Sequence, residues 1–381
     1  MNYRGSYVPN LRFVQFLNPW IKTKLGDVCN FYKGNILSKS NLSENGRACI
    51  LYGQLYTTYR SETIKHVISK TDCNDKNLFV GKSNDVIIPA SGETPEDIST
   101  ACCVLSDGVL FGGDLNVLRT LHNGTFLSYQ LNGKRKYDIA KLAVGKSIVH
   151  LHNDQLKNLC CYFPYDIKEE KIIALFMDTL EERIEVQNKI IENYESLIKP
   201  ITEKLVKEFK CYQYRLKDIS QIRKGEQIGS KLLSCQGPYP MLNGGISFSG
   251  NYVHFNRGKD TIAISEGGNS CGYVSFIEKE FWAGGHCYTI HPKRNDPDFN
   301  YCLYFILKGQ EKKIMALRVG SGLPNIQKKD LENLLVNFPV PTYVRKFNAV
   351  LRSINAKVKI EKEILSKLLL LKQYLLANMF I

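Results

Sequence analysis

The stretch VGKSIVHLHNDQL, Val144 to Leu156, reappears as VGSGLPNIQKKDL, Val319 to Leu331, at a shift of 175 residues. The same shift carries Phe163-Pro164 onto Phe338-Pro339, and DVIIPASG from Asp85 onto DTIAISEG from Asp260. Nearer the start, KLGDVCNFYKG from Lys24 matches RLKDISQIRKG from Arg215 at a shift of 191, so the first copy carries a longer insertion. Four matches in one order mark a duplicated domain, since a solenoid repeat runs only ~20–50 residues.

Each copy holds short β-type runs, ACILYGQLYTTY, DVIIPAS and GVLFGGDLNVLRT in the first, separated by Gly, Asn, Asp and Ser clusters. Each then closes on a long helix. From Lys168 to Phe209, Phe176, Leu180, Ile184, Gln187, Ile191, Tyr194, Ile198, Ile201 and Leu205 recur at spacings of four and three, a coiled-coil seam. Pro200 is expected to kink or divide that helix. From Tyr343 onward the seam is Phe347, Leu351, Ile354, Val358, Leu365, Leu368, Leu375 and Met379, with Glu361 and Lys372 as polar interruptions. Residues 168–209 hold 7 Lys/Arg and 10 Asp/Glu (net −3), whereas 343–381 hold 8 and 2 (net +6). Opposite charge predicts that the helices pair with each other, antiparallel, with Leu180, Ile184, Ile191, Tyr194 and Ile198 facing Ile354, Val358, Leu365 and Leu368.

The 381 residues carry 51 Lys/Arg against 37 Asp/Glu, a net charge of +14, which points to a polyanionic partner. No run approaches the ~18 apolar residues of a membrane span, and the opening residues do not read as a secretory signal. The twelve cysteines form no CxxC pair. They read as reduced, small hydrophobes of a cytoplasmic protein, with neither a zinc site nor a disulfide framework.

Enzymatic apparatus for work on DNA is absent from the sequence. There is no N-P-P-[YF] or D-P-P-[YF] tetrapeptide and no Gly-rich loop suited to S-adenosylmethionine. Gly145-Lys146-Ser147 resembles the end of a phosphate-binding loop, but Ala140 stands where that motif needs glycine. Asp154, Glu169 and Lys171 have nuclease-like spacing, yet the acids open a long helix, where the dipole favours them. His150 and His152 alternate as on a strand with no third ligand near. No catalytic or metal-binding residue is therefore assigned.

The polar, aromatic stretches are the candidate contacts to that polyanion, which charge alone leaves open as DNA, RNA or an anionic lipid surface. Tyr56, Tyr59 and Arg60 form one cluster, and Asn243, Ser247, Asn251 and Tyr252 lie in the matching part of the second copy. Asn, Gln and Arg suit base edges. Lys33 and Lys224, each just before a matched glycine, are placed for phosphate, as are Lys146 and Arg318 beside the repeated Val-Gly pair.

Together these features resemble the specificity subunit of type I restriction-modification systems. The resemblance rests on Trp20 with Lys24-Leu25-Gly26-Asp27-Val28, on Gly34, on Ser91-Gly92-Glu93-Thr94, on the Ala143-Val144-Gly145 element before Phe-Pro, and on the long helix. The second copy departs from it: Lys217 replaces the glycine, and Glu266-Gly267-Gly268-Asn269 replaces SGET. The resemblance implies an α/β (α+β) fold with two target recognition domains, 18–165 and 210–341, after an extension, 1–17. The spacer helix, 166–209, and the C-terminal helix, 342–381, would then act as a ruler between half-sites. It adds Ser91 and Thr94 to the DNA-contact candidates. It also implies double-stranded DNA, two modification subunits and restriction subunits as partners, with S-adenosylmethionine, ATP and Mg held on those subunits. Two rival readings stay open: a stand-alone methyltransferase or nuclease, and a basic coiled-coil interaction protein.

Overall fold

The computed structural model describes residues 7–59, 61–145, 148–233, 237–294, 296–320, 322 and 324–381. They form two compact units, one running to Gln187 and including Ile364–Ile381, the other Asn188–Glu363.

In the first unit, strands β1 (Ile21–Lys24) through β6 (Cys160–Phe163) frame the fold. Between them lie β2 (Cys29–Lys33), β3 (Asp85–Pro89), β4 (Cys102–Val104) and β5 (Leu115–Thr120). The central sheet runs β2-β5-β3-β4 with every pair antiparallel, and Thr63–Ile64 adds a parallel fifth strand. β1 pairs antiparallel with β6. All five residues of β3 are buried because both faces are covered. Val86 and Ile88 meet helix α1 (Gly124–Asn132) in one cluster, and Ile87 joins Val117, Phe111 and Ile50 in another. Asn123 starts α1 by accepting the Phe126 N–H at 2.8 Å, an N-cap bond.

The second unit repeats this plan. Its strands are β7 (Cys211–Arg215), β8 (Ser220–Lys224), β9 (Thr261–Ser265), β10 (Val274–Ile277), β11 (Cys287–Pro292) and β12 (Leu335–Pro339). The sheet order β8-β11-β9-β10 is again antiparallel throughout, and β7 pairs with β12. The four antiparallel strands agree one for one, and only the first sheet has the fifth. The fall in shift from 191 to 175 is 16 extra residues between β2 and β3. In that region LYTTY, read as strand from the sequence, is a π-helical turn, Leu55–Tyr59.

Helix α2 is Ile167–Glu208, helix α3 is Pro297–Gly309, and helix α4 is Pro341–Asn378. α2 continues through Pro200, so the expected division there does not occur. In the first unit the start of α2 and the end of α4 share a core, with Ile173, Ala174, Met177 and Leu180 beside Leu375, Met379 and Phe380. Burying one such side chain stabilises by roughly 1.5–3 kcal/mol. Phe176 is 42% exposed and faces out, its expected seam place taken by Ile173 and Met177. In the second unit Ile198, Ile201 and Leu205 of α2 pack with Val344, Phe347 and Leu351 of α4. Within each unit the helices are thus antiparallel.

Lys372, an interruption in the sequence pattern, is the polar fastener of the first unit. Its ammonium lies 2.7 Å from Glu181 and 2.9 Å from Glu62, which sits beside the added strand. Burial pushes the Glu181 carboxyl up, against the pull of Lys372. Thr63 and Lys65 extend the clamp to Asp178 at 2.7 and 2.8 Å. In the second unit Lys362 meets Glu195 at 2.7 Å. The described cysteines are free, most of them buried, and burial raises the thiols of Cys29, Cys103 and Cys287 to about 12. Among the described residues no helix is long and apolar enough to cross a membrane.

Candidate nucleic-acid interface

β2 and β8 end at the same kind of corner. An added Cβ at Gly34 would lie 2.0 Å from the Gly112 oxygen, and one at Gly225 would lie 2.2 Å from the Gly284 oxygen. Only glycine permits chains to pass that close. Each also donates its N–H to the facing strand at 2.8 Å, Gly34 to Leu115 and Gly225 to Cys287. The facing Gly-Gly pairs, 112–113 and 284–285, are a further repeat at a shift of 172 that the sequence comparison missed.

These corners present Lys33 and Lys224 to solvent, with different wiring. Lys224 meets Glu266 at 2.7 Å, and Tyr288 Oη donates to the same carboxylate at 3.0 Å. At the matching place in the first copy, buried Ser91 shares a 3.0 Å hydrogen bond with His150 Nδ1. His150 and His152 stack at 6.4 Å.

In the first unit a groove of about 820 Å³ is lined by Lys39, Gln54, Tyr56, Thr57 and Glu93 among others. It brings the π-helical turn and the SGET segment together. Burial first, then Tyr52, Asp97 and Glu93, raise the Tyr56 hydroxyl, which stays a donor. Gln54 is held from both ends, accepting the Leu51 N–H at 2.8 Å and donating to Ser69 Oγ at 2.5 Å. The Tyr59 ring packs half-buried against the core, and its oxygen accepts the N–H of exposed Ile68 at 3.2 Å. Thr94 caps a short helix by accepting the Asp97 N–H at 3.1 Å. Arg60 and Lys146 lie outside the described residues.

In the second unit Asn243 holds a turn, its Oδ1 accepting the His286 N–H at 3.3 Å. Ser247 is exposed in the loop that follows, and Asn251 stands opposite Pro240 on a short strand. Tyr252 packs edge-on to Trp282 at 5.0 Å and to His254 at 5.6 Å, an aromatic surface. Arg318 is exposed on a two-residue strand opposite Ile326.

The structure adds a polar strip on one face of this sheet. Gln221 pairs with His291 and Arg223 with Thr289 across β8 and β11, so their side chains share that face. Gln221 Oε1 accepts the Arg223 guanidinium at 2.8 and 3.1 Å. Arg257 is anchored by Thr289 Oγ1 and the Lys224 carbonyl, both at 2.8 Å. Burial first, then Arg223 and Arg257, lower His291 to about 4, so its ring is neutral. In the first unit the same face is neutralised: Arg119 grips Asp85 at 2.6 and 2.7 Å and lies 5.2 Å from the Tyr32 ring. The i, i+2 spacing of Gln221/Arg223 and Thr289/His291 was the available signal.

Of the expected seam, Ile184, Ile191 and Val358 are buried; Leu180, Tyr194, Ile198, Ile354, Leu365 and Leu368 are half-buried. Glu169 is engaged structurally, bound by Arg12 and Trp20, while Asp154 is exposed beside Lys157. No group of three His, Cys, Asp or Glu among the described residues is arranged to hold a metal.

Residues 18–195 and 209–370 both match the type I restriction modification DNA specificity domain family. The chain belongs to that family. It carries two copies of that family's domain, in tandem. A putative type I specificity subunit of Mycoplasma pneumoniae is 38% identical over 129 residues, 33% of this chain and 32% of that protein. One of Mycoplasma genitalium is 37% identical over 120 residues, 31% of this chain and 30% of that protein. The matched stretches thus span about a third of each relative. The crystal structure of a type I S subunit from M. genitalium aligns over 98% of this chain and 99% of its own, with TM-score 0.65 and 21% identity. A second structure, from work on assembly and conformational transition of the type I system, aligns over 94% and 96%, with TM-score 0.54 and 16% identity. Both likenesses are of fold.

Proposed function

We propose that this specificity subunit reads a split, asymmetric site on double-stranded DNA, one half-site per copy of the domain. The observation that carries the proposal is the doubled sheet with its matched glycine corners, on which the reading surfaces differ. The first copy offers the Tyr56–Glu93 groove; the second offers the Tyr252–Trp282 surface and the Arg223–Arg257 strip. Two unlike surfaces on one scaffold fit two unlike half-sites. Lys33 and Lys224 act on phosphates, which position the readers, and the net charge of +14 favours approach to DNA.

The helices are the spacer that sets the unread gap, and they dock two modification subunits, to which restriction subunits attach. Exposed Leu370, Leu371 and Tyr374 on α4, with Leu175 on α2, support helix docking, since apolar stripes of this kind are buried by partners. S-adenosylmethionine, ATP and Mg belong to those partners. The test is a footprint of the chain, with its co-purified subunits, on duplex DNA. Two short protected patches around a constant unprotected gap are expected. Methyl transfer from S-adenosylmethionine by the purified chain alone would contradict the reading.

A further inference from the structure

The duplication exposes a seat that is filled in one copy and open in the other. In the first unit the segment Tyr7–Trp20 lies over Phe126, Tyr162 and Glu169, while neighbouring Phe163 and Glu170 are held by His122. Trp20 packs edge-on to Phe126 at 5.5 Å, Arg12 binds Glu169, and the Leu11 N–H donates to the Asn378 carbonyl at 2.9 Å. Shifts of 172 to 175 carry His122, Phe126, Phe163, Glu169 and Glu170 onto Arg294, Phe299, Phe338, Val344 and Arg345. Those five second-copy residues line one cleft of about 490 Å³. Among the described residues nothing of this chain fills it, because the residues before β7 belong to helix α2 and do not fold back as Tyr7–Trp20 does. Instead Phe209, at the helix end, stacks on Tyr343 at 4.7 Å.

Charge distinguishes the two seats. In the first the rim is acidic and the occupant brings Arg12. In the second Val344 and Arg345 replace the two glutamates, and Lys293 and Arg294 join the rim. Three acids also line the cleft, all remote from Arg345 in sequence: Asp298 is paired with Arg352, while Asp296 accepts the Asp298 N–H and Asp218 the Arg215 N–H. Lys293, Arg294 and Arg345 make no ion pair among the described residues.

We propose that this cleft seats an extended segment of a partner polypeptide, aromatic where it meets the Phe299–Phe338 floor and acidic where it meets Arg345. The apolar floor of Phe299 and Phe338, stacked 4.2 Å apart, favours a peptide side chain over duplex DNA, which offers phosphates there and keeps its bases stacked on one another. The proposal is independent of which DNA sequence the chain reads.

The test uses the full chain and two labelled peptides: its own Tyr7–Trp20 sequence, and the same sequence carrying Arg12→Glu. The Glu-bearing peptide is expected to bind the chain saturably and about fivefold more tightly than the native one, the scale of a partly exposed ion pair. Arg345→Glu should reverse that order; Arg294→Glu, at the rim, should weaken the Glu-bearing peptide without reshaping the floor. The proposal is overturned if neither peptide binds or if Arg345→Glu leaves the ranking unchanged. It is equally overturned if Arg345→Glu weakens DNA binding alone, which would assign the rim to phosphates. Loss of self-association in that variant would assign the cleft to a second copy of the chain.

Discussion

The Arg12 guanidinium closes on the Glu169 carboxylate through two hydrogen bonds of 2.7 Å, and Trp20 Nε1 donates to the same carboxylate at 3.2 Å. The pair ties the opening segment to the first turn of α2, and Glu169 is fully buried. Removing the cation from such a pair strands a buried charge, at a cost of about 3 kcal/mol. Arg12→Met should therefore lower the denaturation midpoint of the chain strongly. Arg12→Met with Glu169→Gln should recover part of the loss, as urea unfolding would measure.

The glycine corners make the same demand in both copies. Gly34→Ala and Gly225→Ala each drive a methyl into a carbonyl oxygen, at 2.0 and 2.2 Å. Overpacking of that kind costs about 3 kcal/mol. Each variant should destabilise its own unit, detectable as faster amide exchange confined to that unit. Equal stability of variant and parent would show that the corner relaxes.

His291 gives the second unit a pH dependence. Its folded value is lowered from 6.5 to about 4, chiefly by burial. The folded state therefore favours the neutral ring. Its stabilising contribution is complete above pH 6.5 and is lost as pH falls toward 4. Thermal melts of the parent should lose more stability over that window than melts of His291→Gln, and parallel curves would refute the assignment.

Phosphate contacts are read through salt. Lys33 makes no ion pair among the described residues, whereas the Lys224 ammonium is shared with Glu266 at 2.7 Å. Lys33→Ala should reduce the slope of log K against log salt by about one, uniformly across DNA sequences. Lys224→Ala should reduce it less. Titration of both variants on one duplex at several salt concentrations separates them.

The duplication was legible as self-similarity along the chain, and the two long helices as periodicity, which a helix displays by itself. The helices read as 168–209 and from 343 are Ile167–Glu208 and Pro341–Asn378. The division expected at Pro200 does not occur, since one missing N–H does not end a helix whose flanks, Ile198 and Ile201, are packed. Long-range partnerships left no local trace: Arg12 with Glu169 and Lys372 with Glu62 join residues 157 and 310 apart. Tyr59 and Ser91 looked like surface polar residues, yet the Tyr59 oxygen is taken by the Ile68 N–H and Ser91 is buried against His150. The Arg223–His291 strip needed the β8–β11 register before its members could be seen as neighbours.

The spacer role is tested most directly by shortening both helices in register. The ion pairs Lys372–Glu181 and Lys362–Glu195 fix the helix register within the first and second units, and Gln187–Asn193 and Ile364–Leu370 are the seven-residue segments lying in sequence between them. Deleting both removes two turns, about 10 Å, and keeps the seam in phase. The gap between protected half-sites should shrink by about three base pairs, at 3.4 Å each, with both half-site sequences unchanged. A gap of unaltered length would contradict the account.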